Sequence, residues 1–151
     1  MEYGSIEREL RIDASPEVVF EVVSAPEYIS EWWNVSTEEW DSDGSLVWRD
    51  ESGAEQHRTR LTVIESDPPR RFAFRWTHDD GEVAASGNSM LVTFELVPDG
   101  DATVLRFSET GFRERGWEAA VLEAQYNDHV NGWNFYLPRL AAVAGRLATT
   151  R

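Results

Sequence analysis

The chain has 151 residues, 28 acidic against 14 basic, for a formal net charge of −14. That length fits one domain with an ordinary core, and the charge argues against nucleic-acid backbones, which need clustered cations, and against anionic membrane surfaces. Cysteine is absent and every cation is arginine, which excludes disulfides, thiol catalysis, thiolate metal sites and lysine Schiff bases.

Residues 6–13 (IERELRID) alternate apolar and charged side chains in their second half and predict a strand. Ser15 is a good helix N-cap and Pro16 suits the first helical position; Val19, Val22 and Val23 then share one face of a short helix. Ala25-Pro26 restarts the chain, and PEYISEWW predicts a second short helix ending on Trp32 and Trp33. Residues 44–50 and 54–65 predict a hairpin around Glu51-Ser52-Gly53. Residues 70–78 place Phe72, Phe74 and Trp76 on one strand face. Residues 88–97 and 102–109 form a further hairpin across Pro98-Asp99-Gly100-Asp101.

From about Arg115 to Ala148 the chain predicts a long helix. Leu122, Tyr126, Val130, Trp133, Leu137, Leu140, Ala144 and Leu147 recur every three or four residues. Pro138 leaves the carbonyl of Asn134 without its helical partner, so a kink is expected there, or a break near Gly132. About six strands and a long amphipathic helix make an α+β fold in which a curved antiparallel sheet wraps the helix. Such a grip leaves a gap between the layers, where large apolar side chains line a cavity. No apolar run is long enough to span a bilayer and no charged-then-apolar leader opens the chain, so a single domain over 1–151 in the cytoplasm is expected.

The order of elements and two stretches resemble a known family. RELRIDASPEVVFEVVSAPEYISEWW (8–33) is similar to the opening strand, proline-started helix and double-tryptophan helix end of the helix-grip superfamily called SRPBCC or START-like. NGWNFYLPRL (131–140), with Gly132, Trp133, Leu137 and Leu140, is similar to its closing helix. Within that superfamily the chain resembles the heat-shock protein 90 ATPase activator-like family. The resemblance implies a helix-grip fold, like that of the birch-pollen allergen, with an inner cavity. Relatives include ligand carriers, polyketide cyclases and stimulators of a chaperone ATPase, so a chaperone is one implied partner.

Eighteen aromatic residues are many to bury by packing alone, and rings make good pocket liners. Of the adjacent indoles Trp32 and Trp33, one should seal the core and the other face the cavity. Trp48, Phe74, Trp76, Phe94 and Phe107 on strands, and Trp133 on the long helix, complete the expected lining. His57 shares strand parity with Thr59, Leu61 and Val63, and His129 lies four residues before Trp133; either is a candidate acid–base group. His78 falls in a turn and is expected at the surface. Glu109 and Arg106 fall on opposite faces of the last strand, and Arg8 shares parity with Leu10 and Ile12, where an inward guanidinium would anchor a carboxylate.

DSDG (41–44) predicts a turn and no calcium loop, because its glycine comes too early and no glutamate closes it. No cofactor motif is present and scattered histidines make no metal site, so neither a cofactor nor a metal is expected. The leading expectation is therefore binding of a small, largely hydrophobic molecule. Two alternatives stand beside it: a cyclase- or hydrolase-type enzyme using the same cavity, and stimulation of a chaperone ATPase.

Overall fold

The computed structural model describes residues 3–41, 43–79 and 81–150. The chain runs β1 (Ser5–Ile12), α1 (Pro16–Ser24), α2 (Pro26–Trp32), β2 (Ser36–Glu38), β3 (Asp43–Arg49), β4 (Glu55–Asp67), β5 (Arg71–Trp76), β6 (Met90–Asp99) and β7 (Ala102–Thr110), then a 3₁₀ turn (Arg113–Arg115) and α3 (Ala119–Thr149). The strands form one antiparallel sheet of seven, in the order β1-β7-β6-β5-β4-β3-β2. The expected six become seven because β2, three residues on the sheet edge, is too short to show alternation. Register shifts at Trp48/Arg49 and Val63/Glu65 mark bulges, which bend and twist strands and so help to curve the sheet. The DSDG stretch includes Ser42, which lies outside the described residues; Asp43 and Gly44 already belong to β3.

Local chemistry sets the helices. The Ser15 side chain accepts from the Val18 amide at 3.3 Å, and α1 buries Val18, Val19, Val22 and Val23. Ala25 is held extended (ψ 131°), as a residue before proline prefers, so one residue ends α1 and starts α2. Asn34 (φ 57°) then turns the chain away after the tryptophan pair. The long helix begins four residues later than expected, because Arg113–Arg115 closes as a 3₁₀ turn ending on Gly116 in the left-handed region (φ 76°). It runs unbroken past Gly132 and Pro138. Asn134 and Pro138 face solvent, so water meets the carbonyl that proline leaves free.

The concave sheet face carries Leu46, Leu61, Phe74, Phe94 and Leu105, all buried. The second half of α3 lies over this face with Trp133, Leu137, Leu140 and Ala144 buried; its first half buries only Leu122. The helix is thus packed into the core from Trp133 onward, while before it the anchors are Leu122, Tyr126, which donates to the Ser5 carbonyl, and His129. Among the described residues, no helix is long and apolar enough to cross a membrane.

Candidate functional site

Where α3 stands off the sheet, a cleft of about 1000 Å³ opens between its first half and the ends of β3, β4 and β5. Its inner wall is indole. The Trp33 ring lies 5.0 Å from Trp76 and 5.1 Å from Trp133, with Trp48 set edge-on at 6.3 Å. Aromatic rings at these spacings and tilts attract one another beyond simple area burial, so the wall is cohesive without a ligand.

Glu109 lies on the concave face of β7, fully buried. Its Oε2 accepts from Trp76 Nε1 at 2.6 Å, and its Oε1 from Trp133 Nε1 at 2.8 Å. The same Oε1 stands 2.8 Å from Nδ1 of His129. A buried carboxylate is tolerated only when hydrogen-bonded, and three N–H groups converge on this one. They tie together β5, β7 and the long helix. The His129 ring is packed between Trp76 at 5.3 Å and Phe112 at 5.2 Å and borders the cleft.

His78 is a second imidazole at the cleft, only 5% exposed. Its Nε2 lies 3.2 Å from Thr62 Oγ1, while Nδ1 has no partner. Burial, and then the nearby Arg60 charge, push its pKa below the ordinary value. The expectation of a surface histidine fails: β5 ends at Trp76, Thr77 adopts φ 73°, and the next residue packs against Thr62 with its ring buried. Arg115 donates to the Thr77 carbonyl and hydroxyl and to the Asn88 carbonyl, fixing that turn from the opposite side. Its guanidinium also lies 4.8 Å above the Trp117 ring.

Of the residues expected to line a cavity, Trp33, Trp48, His57, Trp76, His129 and Trp133 border this cleft. Trp32, Phe74, Phe94 and Phe107 do not; they fill the solid end of the interior. Trp32 stacks on Trp33 at 5.1 Å and donates its indole N–H to the Val22 carbonyl at 2.8 Å, so it is the core-sealing member of the pair. Phe94 and Phe107 pack together at 5.6 Å, Phe107 meets Trp133 at 4.6 Å, and Phe74 sits 6.3 Å from Phe94. Strand parity gives the face a side chain occupies but not which end of that face α3 covers. His57 is on its expected face, but beyond the covered part: it is exposed at the mouth with its ring 5.3 Å from Trp48. Arg8 does not reach the cleft; its Nε donates to Asn134 Oδ1 at 3.1 Å and clips β1 to α3.

Sequence reasoning gave Glu109 no role, although the signal was present. Its parity with Leu105 and Phe107 puts a carboxylate on an apolar face, and such a group needs partners.

A curved antiparallel sheet gripping a long C-terminal helix defines the helix-grip class. Within it, the chain belongs to the family described as "Activator of Hsp90 ATPase homolog 1-like protein", whose model matches residues 13–145. Solved structures share the fold. One is a protein from Chromobacterium violaceum, 20% identical, covering 94% of this chain and 98% of that one with TM-score 0.73. Another is the solution structure of the Aha1 dimer from Colwellia psychrerythraea, 18% identical, covering 93% and 96% with TM-score 0.64. A third is DynU16, a putative protein in the dynemicin biosynthetic locus, 18% identical; the match covers 92% of this chain but 46% of that one, with TM-score 0.63. No curated protein matches the chain.

Proposed function

We propose that the cleft between the sheet and the first half of α3 binds a small, largely apolar molecule. The observation that carries this is the wall of Trp33, Trp48, Trp76 and Trp133 around about 1000 Å³ of open volume. Burying apolar ligand surface there is worth about 25 cal/mol per Å², offset by the cost of immobilising the guest. A thermal-shift screen against fatty acids, flavonoids and polyketides tests it. Apolar aromatic compounds should raise Tm, and a flat response across every class sinks the proposal.

The Glu109–His129 pair favours a second reading, an acid–base enzyme of cyclase or hydrolase type. Under it, His129→Ala abolishes turnover of a bound substrate while leaving its affinity within a few-fold; a simple carrier has no turnover to lose. The family description supports a third, stimulation of a chaperone ATPase. An unchanged ATPase rate at saturating protein disposes of that one.

A further inference from the structure

We infer that the cleft selects a neutral aromatic molecule bearing a hydroxyl group, and that Nε2 of His129 accepts its O–H hydrogen bond. The inference rests on the cleft being an apolar-ligand site and adds which ligand chemistry it takes.

Glu109 decides the polarity of His129. As a carboxylate its oxygens only accept, and two indole N–H groups already point at them. Nδ1 of His129, 2.8 Å from Oε1, therefore carries a hydrogen and donates. In the neutral ring this leaves a lone pair on Nε2, and the carboxylate behind the ring makes that nitrogen a stronger acceptor. Among the described residues, the one fully buried side-chain nitrogen or oxygen lacking a partner is Nδ1 of His78. Nε2 of His129 is thus not sealed in the core, and it belongs to a residue bordering the cleft. The ring is clamped between Trp76 and Phe112, so the lone pair has a fixed direction.

Two further features narrow the ligand. The indole rings of Trp33, Trp48, Trp76 and Trp133 along the cleft wall favour an aromatic body. A ligand carboxylate would bring its own lone pairs to a nitrogen that offers one, with the Glu109 charge directly behind; the two arginines on the lining, Arg58 and Arg115, are matched there by Asp79 and Asp128, and Arg58 is already paired with Glu38 and Glu55, so anions are disfavoured.

The test compares three probes by calorimetry: 2-naphthol, its methyl ether 2-methoxynaphthalene, and 2-naphthoate. Titrations run at about pH 8 and are repeated one pH unit higher. The wild-type protein should bind 2-naphthol about tenfold more tightly than the methyl ether, the worth of one good hydrogen bond, and should bind 2-naphthoate most weakly. His129→Phe keeps the ring volume and should bring 2-naphthol and its ether within about twofold of each other. The nitrogen-15 resonance of Nε2 in the wild-type protein should move with 2-naphthol and not with the ether. That reading, with the wild-type series, decides the matter even where the variant does not fold. Equal affinities for the alcohol and ether, tightest binding of 2-naphthoate, or a hydroxyl preference surviving in His129→Phe overturns the inference while leaving the apolar-ligand site intact. Failure of all three probes to bind overturns the site itself.

Discussion

At the scale of single residues, Glu109 holds the interior together through geometry that no neutral side chain reproduces. Trp76 donates to one of its oxygens; Trp133 and His129 converge on the other. Glu109→Gln keeps the shape but replaces one acceptor oxygen by an N–H₂ group. Either orientation of the amide sets that group against an indole N–H, so even this conservative change should cost about 1–3 kcal/mol in urea unfolding. A variant as stable as the wild type would show that the three-donor cluster adds nothing to stability. His78 makes a separate prediction about pH. Its folded-state pKa is lowered, chiefly by burial, so between that value and the ordinary one the unfolded chain binds more protons than the folded one. Stability is therefore complete above about pH 7, declines as the pH falls through the unfolded value of about 6.5, and stops declining below the folded value. Subtracting the Tm–pH curve of His78→Gln from that of the wild type isolates this contribution from His57 and His129. A difference curve that is flat from about pH 7.5 to 5 contradicts it.

At the scale of elements, α3 keeps its pattern through Gly132, Pro138 and Gly145, all poor helix formers. Nothing lies within 4 Å of a methyl group added at Gly132. Gly132→Ala should therefore stabilise the protein by about 0.5–1 kcal/mol by restricting the unfolded chain, read as a rise in Tm. A fall would mean that this turn of helix needs glycine's freedom. The elements themselves were largely legible in the sequence. Alternation set the faces of β5 and β7, the Ser15-Pro16 pair marked the start of α1, and the apolar spacing from Leu122 to Leu147 gave α3 its buried stripe. What escaped had physical causes. A strand of three residues has no period, and His78, read as part of an exposed turn, is buried just past the left-handed Thr77 that follows β5. The break that Gly132 offered as the alternative to a kink at Pro138 does not occur: one helix runs from Ala119 to Thr149, with Asn134 and Pro138 on its exposed side. The cleft was legible as chemistry but not as a place: many rings implied a lined space, yet which of them line it depends on where along its length the helix touches the sheet.

At the scale of the whole molecule, the decisive feature is that the two ends of the interior differ. One end is closed by Trp32, Phe94, Phe107 and the buried stripe Leu137, Leu140, Val143 and Ala144; the other is the tryptophan-walled cleft beneath the first half of α3. A helix half that buries little draws little stability from tertiary packing, and its amides open by local fluctuation; a half packed into the core opens only with global unfolding. Hydrogen exchange should therefore divide α3. Amides of residues 119–125, which precede the anchors of Tyr126 on Ser5 and His129 on Glu109, should exchange several-fold or more faster than those of 134–147. An apolar aromatic compound that occupies the cleft adds contacts only to the first half, so it should slow exchange there and leave the second half unchanged. Uniform protection along the helix would mean that the open end is as firmly held as the closed one. Slowing confined to residues 134–147 would place the guest somewhere other than the cleft.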